Sequence, residues 1–258
     1  MTDRTDLVLV ALDARGVARV TVNNAERRNA LDNAGKCALA EAIERVSGDA
    51  TLRVIMLTGA GDRSFISGAD LTEMSGFTAG HATKGPALTH RACAAIRAAP
   101  VPVIARINGH CFGAGLEIAA SCDMRVAADA AKFGMPEVLF GLPSGMEACL
   151  LPHLIGWGKT RELVFTGRHI DATEAAACGL VERIAAPDQL DTAVEEWVTA
   201  ILSAGPNAIR AQKALMRDWE RMSIDDAVQA GISAVAAAHG SEEAQRLMGA
   251  FVARRRRA

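Results

Sequence analysis

The sequence predicts an α/β fold with buried parallel strands, and three observations carry that expectation. Two short runs, 53–58 and 102–107, are apolar almost without interruption, as strands covered on both faces are. Each is followed by a glycine-rich turn and then a helical stretch, so strands alternate with helices. The unit recurs after about fifty residues, with Gly68 in the first copy answering to Gly115 in the second.

The elements follow in order. The runs 7–10 and 17–22 flank Asp13-Ala14-Arg15-Gly16, a turn-forming cluster, and predict a hairpin. A turn at Asn23-Asn24 follows, and Asp32 is placed to cap a helix running to about Val46. The strand at 53–58 closes on Gly59-Ala60-Gly61-Asp62, and Gly68-Ala69-Asp70 opens a helix. Gly76, Gly80, Gly85 and Pro86 mark 75–89 as a mobile loop, with His81 and His90 in or beside it and exposed. The second unit comprises the strand 102–107, a turn at Asn108-Gly109, then Gly113-Ala114-Gly115 leading into the apolar helix 116–120. From about residue 190 the strand pattern gives way to Ala-, Glu- and Arg-rich helical periodicity. The expected division is a core of residues 1–190 and a helical region of 191–258.

Composition narrows the function classes. Of 258 residues half are apolar and 22% charged, an ordinary globular balance. Lys plus Arg is 28 against 30 for Asp plus Glu, a net charge of −2, which argues against a general nucleic-acid binder. The tail Arg254–Arg257 is basic but reads as a solvated terminus. No apolar run reaches the length of a membrane span, and the mixed-charge start Met1–Asp6 resembles neither a signal nor a transit peptide. Cys37, Cys93, Cys111, Cys122, Cys149 and Cys178 form no C-x-x-C and read as reduced, buried thiols of a cytoplasmic protein.

Several signatures fail. Gly158-Lys159-Thr160 lacks the earlier P-loop glycine, since His153 stands there. Gly113-Ala114-Gly115 starts a dinucleotide-binding pattern that ends wrongly on Ile118. There is no zinc-spaced Cys/His cluster and no G-x-S-x-G.

What survives is a pair of glycine-rich segments, 65–70 and 108–115, each following a strand and opening a helix. The first N–H groups of a helix have no internal partner and favour negative charge. Two of them converging would form an oxyanion hole; by themselves, the glycines equally allow only tight turns. Glu117 and Glu137 each sit among apolar residues, where a carboxylate is costly unless paired or working. Two such acids can have their proton affinities pushed apart, one acting as base and the other as acid. The competing reading pairs them with Arg106 or Arg125.

Taken in order, the segments Arg27-Arg28-Asn29-Ala30-Leu31, 65–71, 102–109, 113–119, Cys122-Asp123, 133–137 and 163–167 resemble the enoyl-CoA hydratase/isomerase, or crotonase, superfamily, over about residues 7–184. The resemblance implies a crotonase-like spiral of repeated ββα units with a C-terminal helical region used in trimerisation. It implies a homotrimer or dimer of trimers, with no nucleic acid or membrane partner. The substrate would be an acyl-CoA thioester, so that coenzyme A belongs to the substrate and no separate cofactor is needed. The oxyanion N–H groups fall on Ala69 and on Ala114, where many members have glycine. Glu117 would activate water and Glu137 would protonate the α-carbon. Arg27, Arg28, Ala30, Ser67, Gly68, Asp70, Gly113, Met135 and Glu147 complete the expected substrate contacts, with the two arginines facing either phosphate or solvent.

The pattern breaks after Glu137. Members usually continue with a glycine-rich stretch, whereas this chain has Gly145-Met146-Glu147. Glu147 reads first as a solvated acid at a helix start. Facing the acyl chain instead, it would resemble the third acid of dienoyl-CoA isomerases. The expected activity is therefore hydration of a trans-2-enoyl-CoA, with enoyl- or dienoyl-CoA isomerisation through Glu137 and Glu147 as the alternative. A hydrolase or dehalogenase of the same fold, and a non-catalytic acyl-CoA or RNA binder, stand behind these.

Overall fold

The computed structural model describes residues 7–76 and 83–255. His81, Arg256 and Arg257 lie outside them, as do residues 1–6.

The predicted hairpin forms from β1 (Val8–Leu12) and β2 (Val17–Val22), paired antiparallel. Helix α1 (Asn33–Ser47) starts where expected, with the Asp32 carboxylate accepting from the Gly35 N–H. Three strand pairs then follow one plan: β3 (Val54–Gly59) with β4 (Ser64–Ile66), β5 (Val103–Ile107) with β6 (His110–Phe112), and β7 (Met124–Ala128) with β8 (Lys132–Gly134). The first strand of each pair joins one sheet and the second joins another. A six-stranded sheet therefore runs β1-β2-β3-β5-β7-β10, and a four-stranded sheet runs β4-β6-β8-β9, with β9 at His169–Asp171 and β10 at Arg183–Ala185. β2, β3, β5, β7 and β10 are mutually parallel, and β3, the most apolar of them, is buried along its whole length.

Two buried asparagines hold the corners between these sheets. Asn108 Nδ2 donates to the carbonyls of Gly59, Gly61 and Ser64, and its Oδ1 accepts from the Gly59 N–H. Asn29 Nδ2 donates to the carbonyls of Ala60 and Ser64. An amide side chain suits this position because it supplies donors and acceptor to backbone groups that leave one strand before the next begins.

Helices α2 (Leu71–Met74), α3 (Lys84–Ala98) and α4 (Ala114–Ser121) follow β4 and β6. α5 (Leu151–Thr166) is kinked at Gly156, and α6 is the short helix Ala172–Ala177. The mobile loop expected at 75–89 is corrected over its last residues, because Lys84 onward is helical. Pro86 sits in the first turn, where its missing N–H costs nothing, and Gly85, Thr89, Ala92, Cys93 and Ile96 form a buried stripe.

The main core lies between the six-stranded sheet and α1, α3 and α4. The other face of that sheet, with Val17, Val54, Met56 and Ile104, is covered by Leu190, Val194 and Val198 of α7 (Leu190–Ser203). The expected boundary at 190/191 therefore cuts through a packed core. The projecting helices are α8 (Pro206–Trp219), α9 (Ile224–His239) and α10 (Glu242–Arg255). Among the described residues, no helix is long and apolar enough to cross a membrane. The cysteines also differ from expectation. Cys93, Cys111 and Cys122 are buried, Cys37 and Cys178 are half-buried, and Cys149 is exposed.

Candidate active site

The site is built by two neighbouring strands. β4 and β6 pair in parallel, so the helices that follow them begin side by side. The backbones there are nearly in contact. A Cβ on Gly68 would come within 3.2 Å of the Phe112 carbonyl, and one on Gly115 would collide with the Ile66 carbonyl. Gly68 has φ +114° and Gly113 has φ +51°, conformations that glycine adopts without strain.

The Ala69 N–H lies between two backbone bonds, from Leu31 N–H to the Gly68 carbonyl and from Asp70 N–H to the Leu31 carbonyl. Ala114 is the first residue of α4. Neither N–H has a hydrogen-bond acceptor among the described residues. The bridge from Leu31 also draws the half-buried Ala30 against this segment, beside half-buried Ser67.

Glu117 is buried one turn into α4, on the same face as Ala114. Its Oε1 accepts from the Ala148 N–H at 3.2 Å, and its Oε2 is buried without a partner among the described residues. Burial foremost, then the charge of Glu137, pushes its pKa up to about 8; the Ala148 N–H opposes the rise and Glu147 adds to it. Glu137 begins a 3-10 turn, Glu137–Phe140, and lies over the glycine backbone. A Cβ on Gly113 would stand 2.5 Å from its Oε1, while its Oε2 accepts from Ser144 Oγ at 2.7 Å. The arginine pairings considered from sequence do not form. Arg106 pairs with Asp191 and Arg125 with Glu182.

Of the other expected contacts, Glu147 differs most from the sequence expectation. Glu147 is no solvated acid: its side chain is 5% exposed, and Oε1 is 2.6 Å from His90 Nδ1. The chain rises through a turn at Met146 (φ +41°) and carries Glu147 inward against α3 and α4. Arg27 pairs with Asp70 at 2.7 Å, and Asp70 itself caps α2 through the N–H groups of Thr72 and Glu73. Arg28 is exposed in the left-handed region. Met135 is fully buried in the main core.

Sequence reasoning missed Lys36 and the partnership of His90. Lys36 is buried on the inner stripe of α1 with Leu39, Ala40 and Ile43, and its Nζ reaches only the Gly85 carbonyl at 3.4 Å. Burial lowers its pKa, against the pull of Glu73, Asp32 and Glu117. Its place at i−3 from Leu39 on an apolar stripe was the available signal.

Fold and site together define an α/β enzyme of the crotonase type, with two acids set against paired backbone donors. The sequence model of the enoyl-CoA hydratase/isomerase family matches residues 13–257, and the chain belongs to that family. It is similar to a crotonyl-CoA hydratase of Syntrophomonas wolfei, 34% identical over 241 residues and 93% of each chain. It is also similar to a short-chain-enoyl-CoA hydratase of Clostridium acetobutylicum, 33% identical over 96% of this chain and 95% of the other. The crystal structure of an enoyl-CoA hydratase from Bacillus anthracis superposes with a TM-score of 0.93 at 30% identity, covering 96% of this chain and 97% of that one.

Proposed function

We propose that this protein hydrates a trans-2-enoyl-CoA to a 3-hydroxyacyl-CoA by syn addition of water. The observation that carries the reading is the placement of two carboxylates, Glu117 and Glu137, around the Gly113–Ala114 backbone. The Ala69 and Ala114 N–H groups receive the thioester oxygen. Glu117 takes a proton from water as its oxygen bonds to C3. The π electrons move to the thioester oxygen, where the two N–H groups stabilise the enolate. The enolate collapses as C2 takes a proton from Glu137. Glu117 ends with one proton more and Glu137 with one fewer, so the pair resets when a proton passes from Glu117 back to Glu137. Losing one backbone donor would cost about 3–4 kcal/mol of transition-state stabilisation.

The relatives named as crotonyl-CoA and short-chain-enoyl-CoA hydratases support a short acyl group. Coenzyme A arrives with the substrate, and no other cofactor takes part. A homotrimer or dimer of trimers is supported by exposed apolar residues on the last helices, among them Ile224, Val228, Ile232, Val235 and Phe251.

A second reading is favoured by one observation, the burial of Glu147 beside Glu117. In enoyl- or dienoyl-CoA isomerisation Glu137 would remove a proton and Glu147 would return one further along the chain. Crotonyl-CoA absorbance, followed with wild type, Glu117→Gln and Glu137→Gln, separates the two. Hydration bleaches the conjugated thioester band, and both substitutions abolish it. An unchanged band with wild type rejects short-chain hydration.

A further inference from the structure

Glu147 has one oxygen that no group among the described residues satisfies. His90 occupies Oε1 at 2.6 Å, and Oε2 is fully buried with no hydrogen-bond partner among the described residues. An unpaired carboxylate oxygen away from water is costly, and a working complex supplies it with a donor. The position says where that donor comes from. The Ala148 N–H, on the next residue, holds Glu117 Oε1, so Glu147 sits immediately past Glu117. An acyl group anchored at the Ala69 and Ala114 N–H groups and reacting between Glu137 and Glu117 would extend toward Glu147. A hydroxyl carries a donor without adding charge.

Resting on the reading of this pocket as an acyl-CoA site, we propose that Glu147 is a specificity-determining residue that selects short acyl-CoA substrates bearing a hydroxyl on the carbon beyond the reacting double bond. Its Oε2 accepts the hydroxyl proton, and a plain alkyl group leaves that oxygen unpaired. Discrimination against the analogue lacking the hydroxyl should be about 10- to 100-fold, the range for a hydrogen bond to a buried carboxyl group.

Saturated ligands test this without turnover. Butyryl-CoA and 4-hydroxybutyryl-CoA are titrated calorimetrically into wild type, Glu147→Leu and Glu147→Gln, each variant first shown to be folded by its thermal transition. The expected result is tighter binding of the hydroxylated ligand to wild type by at least tenfold. That preference disappears in Glu147→Leu and shrinks to a few-fold in Glu147→Gln, whose amide still meets a hydroxyl. Equal affinity of the two ligands for wild type, or a preference that survives in Glu147→Leu, overturns the proposal while leaving the acyl-CoA reading intact. Failure of wild type to bind either ligand overturns both.

Discussion

The Ala148 N–H donates to Glu117 Oε1 at 3.2 Å, tying one acid to the segment that carries another, since Glu147 is the preceding residue. That single bond steadies a carboxylate whose other oxygen has no partner among the described residues. It also opposes the rise in proton affinity that burial imposes on Glu117. The Glu117 carboxyl is thus held in place while remaining poised to exchange a proton near neutral pH.

The pH dependence follows from this. With Glu117 pushed up to about 8, the site keeps one proton below that pH and loses it above. Hydration and its reverse both need the singly protonated pair. Their kcat/KM should fall about tenfold per pH unit above 8. An isomerase that works through Glu137 and Glu147 without Glu117 would keep its rate there. Stopped-flow measurement of kcat/KM from pH 6 to 10 decides between them.

Glu117→Gln should stabilise the protein at alkaline pH while destroying hydration. The folded state raises the proton affinity of this carboxyl above its ordinary value of 4.5. Its folded form therefore binds more protons than the unfolded chain, and stability is lost as pH rises towards 8. An amide pays no such penalty. The variant should gain on the order of 2–4 kcal/mol over wild type at pH 9 and almost nothing at pH 4. Denaturant melts at the two pH values read this directly, and an equal gain at both would contradict the assignment.

Gly113→Ala should damage catalysis more than folding. The residue has φ +51°, and an added methyl would stand 2.5 Å from Glu137 Oε1. Moving Glu137 away should lower kcat/KM about 100-fold, and the strained backbone should cost about 1–3 kcal/mol. A variant with unchanged kcat would show that Glu137 does not work from this position.

Arg125→Met tests the buried guanidinium behind the site. The guanidinium is 3% exposed, pairs with Glu182 and donates to the carbonyls of Leu180, Ala119 and Cys122. Removing it strands those acceptors, and the expected loss is about 3–5 kcal/mol. The melting temperature should fall by roughly 6–20 °C, and a Glu182→Gln, Arg125→Met double variant should recover part of the loss.

Much of this protein was legible before any coordinates. The hairpin, the Asp32-capped helix, both glycine turns and the parallel class of the strands follow from period, turn chemistry and local propensity. So did the singling out of Glu117 and Glu137, because an acid within an apolar run announces itself. The helix at 84–89 was not legible, because Gly85 and Pro86 read as loop residues until packing against α1 decides otherwise. Nor was the membership of α7 in the core, whose apolar stripe says that it packs but not on what.

Tertiary structure alone settled Glu147. In sequence it is an acid at a helix start, which solvent would welcome; in the fold it is buried against His90, fifty-seven residues away. Local sequence governs dihedral angles and which face of an element is apolar. It does not specify which distant side chain arrives at a buried oxygen, because that depends on how whole elements pack. The sequence therefore determined the class of this protein and singled out two acids, and only the packing of α3 and α4 around Glu147 decided that a third acid is buried near Glu117.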